Sequence, residues 1–373
     1  MSIKRVGVIG GGQLAQMMAG AAEQLGVELV VQTPNKEDPA VAIASQTIFA
    51  AVDDAAATAT LATRCDVITF ENEFVDLKAL APLAEQGVCF RPGLQVLSPL
   101  LDKYHQRCYL QQIGLPVPKF ATLENISAIG EFPLVLKSRR HGYDGQGTFI
   151  IKDAASLQQT IASASKETFL VEEFVPFEKE LAIIAARSPT GEIVTYPVVE
   201  TQQQNQVCRS VIAPADISRE VTAQIQEIAH RLLNSLQAVG IFGIELFLKG
   251  DRQVLVNEIA PRTHNSGHFT LDACEVSQFE QHLRAICNLP LGSIALRCPA
   301  AVMVNLLGYE EAENDYFVKR QQLAALPQAY VYWYDKKISR PGRKLGHVTV
   351  LLDSTEDAED CAQKIESIWY AQS

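Results

Sequence analysis

The sequence predicts a mixed α/β protein, α+β overall, with an N-terminal doubly wound (Rossmann-like) domain, a central α+β domain and a small β-rich C-terminal domain. Three patterns carry this prediction. Strand and helix patterns alternate over the first hundred residues, hairpin-like strand pairs follow from residue 101, and short strands dominate after Pro290. A length of 373 residues also exceeds what one compact core usually organises. We therefore expect domains over residues 1–100, 101–292 and 293–373.

The N-terminal region has the pattern of a parallel sheet covered by helices. Residues 5–9 form an apolar run that is typical of a buried parallel strand, and a turn of three glycines follows it. Residues 13–25 then have a helical pattern. Further strands are predicted over 27–31, 66–70 and 88–90. This alternation predicts a doubly wound domain.

The glycine turn matches a dinucleotide-binding fingerprint, with Gly10, Gly12 and Ala15 at the expected spacing. A nicotinamide enzyme also needs an acid at the end of the second strand, where residues 32–35 are Gln-Thr-Pro-Asn. The fingerprint alone is therefore weak evidence for a nicotinamide cofactor. A glycine turn at a helix N-terminus suits any phosphate, and it equally suits a tight strand–helix turn without a ligand.

The central region combines hairpins with two acid-bearing strands, and the C-terminal region is built from short strands. The predicted central elements are a helix over 102–113, strands over 134–137, 149–151 and 169–175, a hairpin of 180–185 and 193–196, a helix over 221–239, strands over 241–248 and 253–256, and a helix over 278–287. The C-terminal strands are predicted over 301–304, 330–334 and 347–352.

The densest group of polar side chains is Asn257-Glu258-Ile259-Ala260-Pro261-Arg262-Thr263-His264-Asn265-Ser266-Gly267-His268. It follows the apolar run 253–256, so we expect these groups at a strand end and in the loop beyond it. Glu245 lies in the preceding apolar run. Two strands that each offer one acid could hold hard cations against phosphate oxygens. The alternative is a solvated loop and a glutamate paired with an arginine.

A second motif is the loop Gly142-Tyr143-Asp144-Gly145-Gln146-Gly147, which follows Lys137 by a few residues. Glycines let main-chain N–H groups approach phosphate oxygens, and the lysine could add a positive charge. The alternative is a flexible hairpin tip. The spacing is not that of a P-loop, and the chain lacks the protein-kinase motifs.

A basic cluster near the C-terminus is the third motif. Its functional interpretation is an anion pocket, because the Pro-Gly turn would bring the charges together; the alternative is a solvated basic turn. The cluster contains Lys336, Lys337, Arg340, Arg343, Lys344 and His347.

The composition excludes several classes of function. Lys+Arg 32 against Asp+Glu 43 gives a net charge of −11, which argues against general binding of nucleic acids or anionic membranes. No apolar run has membrane-spanning length, and the N-terminus lacks a signal-peptide pattern. The 8 cysteines are scattered without zinc-type spacing. We therefore expect reduced thiols and a cytoplasmic protein with no nucleic-acid or membrane partner.

Together these motifs resemble the ATP-grasp superfamily, and within it the N5-carboxyaminoimidazole ribonucleotide synthetases, ATP-dependent carboxylases of purine biosynthesis. The resemblance covers nearly the whole chain and is carried by residues 142–147, 257–268 and 340–347. It implies an ATP-grasp fold, with a Rossmann-like domain before a central domain of two subdomains and a small β-rich domain after it. It also implies a homodimer that uses ATP with Mg²⁺, for which Mn²⁺ can substitute.

The resemblance also implies roles for individual residues. ATP-binding roles fall on Lys103, Lys137, Gly142, Gly145, Gln146, Gly147, Glu172, Glu173, Val175, Glu180, Gln203 and Asn257, with adenine near 172–175 and the ribose at Glu180. Metal-binding roles fall on Glu245 and Glu258. Substrate-binding roles fall on Gln13, Leu14, Glu71, Asn265, Ser266, Lys336 and Arg343. The reaction centre would be lined by Tyr143, Asp144, Arg262, His264 and His268.

Two positions depart from the family pattern. Gln146 stands where the family often has a basic residue, and Gln203 ends Glu200-Thr201-Gln202-Gln203 where the family usually has Glu-Asn-x-His. A glutamine donates hydrogen bonds but carries no charge, so no charge-based role follows at either position.

The implied reaction joins bicarbonate to 5-aminoimidazole ribonucleotide at the expense of ATP, through carboxyphosphate, in the de novo route to IMP. The products are N5-carboxyaminoimidazole ribonucleotide, ADP and phosphate. Loop 142–147 would close over the site to exclude water. Either His268 or Asp144 could relay the proton from the exocyclic amine. The alternatives are another ATP-grasp ligase, such as a formate-dependent glycinamide ribonucleotide transformylase, a non-catalytic nucleotide-binding homologue and, last, a nicotinamide oxidoreductase.

Overall fold

The computed structural model describes residues 4–140, 142, 147–163, 168–250 and 252–371. Its N-terminal region contains a parallel sheet flanked by helices. The strands are β1 Arg5–Ile9, β2 Glu28–Thr33, β3 Gln46–Phe49 and β4 Val67–Phe70, and the helices are α1 Gln13–Leu25, α2 Ala55–Ala62, α3 Leu77–Glu85 and α4 Leu94–Leu97. The strand order is β3-β2-β1-β4, so the predicted doubly wound arrangement is confirmed.

Two details of this sheet differ from the sequence prediction. Strand β3 was not predicted, because its residues are only partly buried and lack an apolar run. The strand predicted over 88–90 is wrong, since Phe90 makes a single parallel bridge to Ile68. Pro92 follows two residues later and has no N–H with which to continue the ladder.

The second region begins with α5 Lys103–Gln112 and a small antiparallel sheet. Its strands are β5 Phe120–Thr122, β6 Leu134–Ser138, β7 Thr148–Ile151 and β8 Phe169–Glu173, with α6 Ala154–Ser163 between the last two. The strand order is β5-β8-β6-β7. The predicted hairpin of residues 134–137 and 149–151 is confirmed as the β6–β7 pair.

A large antiparallel sheet forms the centre of the molecule. The strands in its first part are β9 Lys179–Arg187, β10 Ile193–Thr195, β11 Val199–Gln204, β12 Val207–Ala213, β13 Gly240–Leu248 and β14 Val254–Ala260. The helices in this part of the chain are α7 Arg219–Leu236, α8 Thr270–Ala273 and α9 Gln278–Ile286. The amphipathic face of α7, with Ile225 and Leu232 fully buried, packs on Ile183 and Phe242 of the sheet. Strand β14 ends four residues later than predicted, at Ala260, so Asn257 and Glu258 lie in a strand rather than in a loop.

The C-terminal residues extend this same sheet. The remaining elements are β15 Ala300–Leu307, β16 Ala312–Glu313, α10 Phe317–Ala324, β17 Ala329–Trp333, β18 Ile338–Ser339, β19 Lys344–Leu352 and α11 Ala358–Trp369. The order across the sheet is β14-β13-β9-β11-β12-β15-β19-β17, with β10 beside β9 and β16 paired with β18. Helices α10 and α11 were not predicted; Leu323, Ile365 and Trp369 from these helices pack on β15 and β19.

The N-terminal sheet is joined to the large sheet through helix α9. Phe279, Leu283 and Ile286 of α9 share a core with Met18 and Val31 of the N-terminal region. Among the described residues, no helix combines the length and the apolar character that crossing a membrane requires.

Candidate active site

A cleft of about 1340 Å³ lies where the N-terminal sheet, the small sheet and the large sheet meet. All three sheets contribute to its wall, so segments distant in sequence converge there. Among the residues singled out from the sequence, its wall includes Gln13, Leu14, Glu71, Lys103, Lys137, Gly142, Glu172, Glu173, Val175, Glu180, Gln203, Glu245, Asn257, Glu258, Arg262, His264, Asn265, Ser266 and His268. The structure thus brings together residues that the sequence places more than 250 positions apart.

Three glutamates share one face of the large sheet. Glu245 of β13 pairs directly with Glu258 of β14, and Glu245 also faces Ala182 of β9. Glu180 lies two residues from Ala182 in β9, so its side chain points to the same face. The register of the three strands therefore places three carboxylates on the side of the sheet that faces the cleft.

These carboxylates do not titrate alike. Burial raises the pKa of Glu245 to about 7, and the neighbouring Glu258 adds to the rise. Burial likewise raises the pKa of Glu180 to about 7, with a further contribution from Glu245. Burial also disfavours the Glu258 anion, but Lys103, whose Nζ lies 2.5 Å from its Oε1, lowers the pKa of Glu258 overall.

The oxygen atoms at this face suit a hard divalent cation. Glu245, Glu258 and Asn257 offer carboxylate and amide oxygens, which Mg²⁺ prefers, and two carboxylates placed side by side repel each other without a cation. Asn257 Nδ2 donates to Glu245 Oε2 at 3.4 Å, which orients the amide beside the acid pair. Among the described residues, no three His, Cys, Asp or Glu side chains are grouped so that they could hold a metal ion by themselves, so phosphate oxygens or water would have to complete the coordination.

A buried ionic network surrounds Lys137. Its Nζ lies 2.7 Å from Glu172 Oε2 and donates to Asn257 Oδ1 at 2.8 Å. Arg107 of α5 pairs with the other carboxylate oxygen of Glu172. Burial opposes the Glu172 anion, but Arg107 and Lys137 together lower its pKa to about 2. The Glu172 side chain is therefore an anion held between two cations.

His264 and Asn265 are anchored to the large sheet. His264 Nδ1 lies 2.8 Å from Ser266 Oγ, and its Nε2 lies 3.5 Å from Glu245 Oε1. Asn265 and Asn305 of β15 exchange a pair of amide hydrogen bonds at 2.9 and 2.8 Å. The contacts with Glu245 and Asn305 hold this turn against β13, which carries one of the acids, and against β15, which belongs to the C-terminal residues.

His268 is buried and neutral. It is 1% exposed, and burial, with His347 and Lys344 nearby, keeps its pKa well below the usual range. Gln278 Nε2 donates to His268 Nδ1 at 3.1 Å, which places the ring proton on Nε2. The same Gln278 side chain clamps the main chain of His264, accepting from its N–H at 2.9 Å and donating to its carbonyl at 2.7 Å.

On the N-terminal side, Glu71 fills the glycine turn. Its carboxylate accepts from the N–H groups of Gly12 at 2.9 Å and Leu14 at 3.3 Å, at the N-terminus of α1. Burial raises the pKa of Glu71, although the Gly12 N–H acts in the opposite direction. The sequence left open whether this turn binds a phosphate, and in the structure its N–H groups instead bind a carboxylate of the protein itself.

Arg262 reaches across to the same N-terminal loop. Its Nε lies 2.9 Å from Glu73 Oε1, which joins the turn after β14 to the residues after β4. Burial would lower the pKa of Arg262, but Glu73 and Glu71 raise it overall. The guanidinium is thus held by carboxylates at the edge of the cleft.

The member of the basic cluster that lines the cleft is Lys344, not the two residues to which the resemblance gives substrate-binding roles. Lys344 lines the wall, whereas the described wall does not include Lys336 or Arg343. Lys336 Nζ donates to the carbonyl of Lys344 at 2.8 Å, and Arg343 Nη1 donates to the carbonyl of Ile338 at 2.6 Å. Both side chains therefore hold the shape of the turn that carries Lys344.

In the glycine loop, the candidates Tyr143, Asp144, Gly145 and Gln146 lie outside the described residues. Gly142 lines the cleft, and Gly147 has a φ of +80°, which glycine adopts without strain. The carbonyl of Gly147 accepts from the N–H of Ser138 at 2.7 Å, which closes the base of the β6–β7 hairpin.

Sequence reasoning missed several residues that hold the site together, among them Glu73, Arg107, Gln278 and Asn305. No local pattern marks them, because each acts through a contact with a motif residue that lies 10 to 189 positions away in the sequence.

Comparison with known proteins assigns all three regions of the chain. Residues 3–98 match a ribonucleotide synthetase preATP-grasp domain, residues 108–279 an ATP-grasp domain, and residues 301–361 the C-terminal domain of phosphoribosylaminoimidazole carboxylase. An N5-carboxyaminoimidazole ribonucleotide synthase of Synechococcus elongatus is 57% identical, over 98% of this chain and 96% of the relative.

Solved structures agree with this relationship over the whole chain. N5-carboxyaminoimidazole ribonucleotide synthetase from Thermotoga maritima is 40% identical with a TM-score of 0.88, covering 98% of each chain. A structure of N5-carboxyaminoimidazole synthase from Aspergillus clavatus, in complex with ADP and 5-aminoimidazole ribonucleotide, is 31% identical with a TM-score of 0.90, again covering 98% of each chain.

Proposed function

The chain belongs to the family of N5-carboxyaminoimidazole ribonucleotide synthases, and from that premise we propose how its cleft performs the reaction. The enzyme is an ATP-dependent ligase of purine biosynthesis that carboxylates 5-aminoimidazole ribonucleotide. We propose bicarbonate as the source of the carboxyl group. One observation carries the residue assignments: two lysines and a facing pair of glutamates meet in one cleft.

Lys103 and Lys137 bind the phosphates of ATP in this proposal. Both ammonium groups lie on the cleft wall, and each contacts a carboxylate beside the space that a triphosphate would fill. The glycines Gly142 to Gly147 cover the phosphates, Glu180 binds the ribose, and the segment Glu173 to Val175 binds adenine. Because the Glu172 carboxylate is already paired with two cations, we assign it to holding Lys137 rather than to adenine.

Mg²⁺ would be held by Glu245 and Glu258, with Asn257 beside them, and when bound it neutralises charge on the transferring phosphoryl group. Gln203 lies on the wall of the same cleft, and we assign its amide to a hydrogen bond with the nucleotide that adds no charge. Lys103, paired with Glu258, keeps that carboxylate ionised for this purpose.

The chemistry proceeds in two steps. An oxygen of bicarbonate attacks the γ-phosphorus of ATP, the bond to the ADP oxygen breaks, and carboxyphosphate and ADP form. The exocyclic amine of 5-aminoimidazole ribonucleotide then attacks the carboxyl carbon, phosphate leaves, and one proton departs from nitrogen. Arg262 and His264, at the junction of the two halves of the cleft, orient the carboxyl group.

We propose that His268 is not the proton acceptor. The Nδ1 atom of His268 already accepts a hydrogen bond from Gln278, and its low pKa makes it a weak base. We therefore assign His268 to positioning His264 through Gln278, and the proton to Asp144 of the loop. We also propose, from the family resemblance, that Tyr143 lines the reaction centre.

The substrate 5-aminoimidazole ribonucleotide is assigned to the N-terminal side of the cleft. Gln13, Leu14 and Glu71 lie on that wall, and Asn265 and Ser266 face them. The phosphate of the substrate meets the basic turn, where Lys344 faces the cleft and Lys336 and Arg343 fix the main chain. The proposal also includes a homodimer, a cytoplasmic location and domain boundaries near residues 100 and 292.

Substrate dependence of ADP formation tests this function. We expect ADP release to require both bicarbonate and 5-aminoimidazole ribonucleotide, and Glu258→Gln to abolish it while the protein stays folded. Formate in place of bicarbonate should not support turnover. ADP release that needs neither substrate, or that needs formate, would contradict the proposal, and full activity in Glu258→Gln would contradict the metal assignment.

A further inference from the structure

Arg107 is a buried charge that the mechanism above does not use. Its side chain is 2% exposed and lies behind the cleft, on α5. The guanidinium pairs with Glu172 through Nε and donates from Nη2 to the main-chain carbonyl of Asn257 at 2.5 Å. A buried arginine is retained at such a position only if its charge is compensated.

These contacts close a ring of four residues. Glu172 Oε2 lies 2.7 Å from Lys137 Nζ, and Lys137 Nζ donates to Asn257 Oδ1 at 2.8 Å. Arg107 contacts both Glu172 and Asn257, so each member of the ring touches two others. The ring joins α5, β6, β8 and β14. The ring therefore connects Arg107 to Lys137 by two routes, through Glu172 and through Asn257.

The ring carries one positive charge in excess. Arg107 and Lys137 contribute two cations, and Glu172 contributes one anion, which its neighbours keep ionised with a pKa of about 2. If Glu172 faced Lys137 alone, the pair would be electrically neutral. Because the Glu172 carboxylate also pairs with Arg107, it compensates the positive charge of Lys137 only partly. Of these two cations, Lys137 is the one that lines the cleft in the part of the chain that the structure describes.

We propose that Arg107 is a positioning residue that shares the Glu172 carboxylate with Lys137 and so leaves one positive charge at the cleft for the phosphates of ATP. The proposal rests on the ATP-binding role of Lys137 given above. Arg107 would then raise the affinity for ATP without contacting the nucleotide. It would not change the affinity for 5-aminoimidazole ribonucleotide.

A charge-balance experiment tests this role. Arg107→Met keeps the length of the side chain but makes the ring neutral, so we expect ATP to bind about tenfold more weakly. The double variant Arg107→Met/Glu172→Gln restores the single excess positive charge, so its affinity for ATP should return close to that of the wild type. Arg107→Lys keeps the charge and should retain most of the affinity. Calorimetry with ATP and with 5-aminoimidazole ribonucleotide measures each variant.

Arg187→Met is the matched control, because Arg187 is also buried but donates to Ala238 and Gln237 at the end of α7. It should lose stability without losing ATP affinity. Wild-type ATP affinity in Arg107→Met, or a double variant no better than the single one, would overturn the proposal. Where Arg107→Met does not fold, the double variant decides: near-wild-type affinity supports the charge balance, and a loss of about tenfold overturns it. A wild-type protein that does not bind ATP would instead contradict the proposed function.

Discussion

At the scale of single residues, two neighbouring carboxylates in the cleft differ in pKa because they contact different side chains. Glu245 and Glu258 face each other across β13 and β14, yet the pKa of Glu245 is raised to about 7 and that of Glu258 is lowered. The difference arises because Lys103 contacts Glu258. The pair therefore combines a firmly ionised acid with one that a cation would help to ionise.

Gly12 provides a test of the contact with Glu71. A Cβ at Gly12 would collide with the Glu71 carboxylate, which accepts from the Gly12 N–H. We therefore expect Gly12→Ala to lower the free energy of unfolding by about 1–3 kcal/mol. It should also raise KM for 5-aminoimidazole ribonucleotide, because Glu71 would be displaced from the proposed substrate wall.

Gly20→Ala is the control for that variant. Gly20 lies within α1, the helix that Gly12 precedes as N-cap, and an added Cβ at Gly20 meets no atom within 4 Å. Alanine should therefore stabilise α1 by about 0.5–1 kcal/mol and leave KM unchanged. Chemical denaturation and steady-state kinetics measure both variants; wild-type stability and KM in Gly12→Ala would refute the contact.

At the scale of secondary-structure elements, His282 of α9 links the two strands that lead to the acids. Ile241 N–H, at the start of β13, donates to His282 Nδ1 at 3.2 Å, so the ring proton is on Nε2. That Nε2–H donates to Thr69 Oγ1 at 2.8 Å, in β4 just before Glu71. One neutral imidazole thus fixes the N-terminal sheet relative to the large sheet.

This arrangement predicts a pH dependence of stability. Burial lowers the pKa of His282 from 6.5 to about 4, so the unfolded chain binds a proton more readily than the folded one between these values. The contribution is complete above pH 6.5 and is lost as the pH falls towards 4. In His282→Gln, the slope of unfolding free energy against pH in this window should decrease by about 1.4 kcal/mol per pH unit. Urea titrations at several pH values measure the slope, and an unchanged slope would contradict the neutral buried state.

Most elements that carry motifs could be predicted from apolar patterns, including β1, α1, the β6–β7 hairpin and β13. The end of β14 could not, because Asn257 and Glu258 are polar and look like loop residues although they face the cleft from within a strand. These strand positions are occupied by polar residues because Glu258 pairs with Glu245 and Asn257 accepts from Lys137.

At the scale of the whole molecule, the site exists only when all three regions meet. Glu71 comes from the N-terminal sheet, Lys137 from the small sheet, Glu245 from the large sheet, and Lys344 from its C-terminal extension. The sequence predicted the three regions, but not that β15, β17 and β19 would continue the central sheet. Contacts such as that between Asn265 and Asn305 leave no local pattern, because their partners are distant along the chain.

Carboxylation by bicarbonate is tested most simply by following ¹³C-labelled bicarbonate by NMR in the presence of ATP and 5-aminoimidazole ribonucleotide. The proposed reaction predicts a new ¹³C carbamate signal on the exocyclic nitrogen, formed in step with one ADP per carboxyl group and absent when ATP is omitted. Release of ADP without any ¹³C–N product, or the same product without ATP, would contradict it.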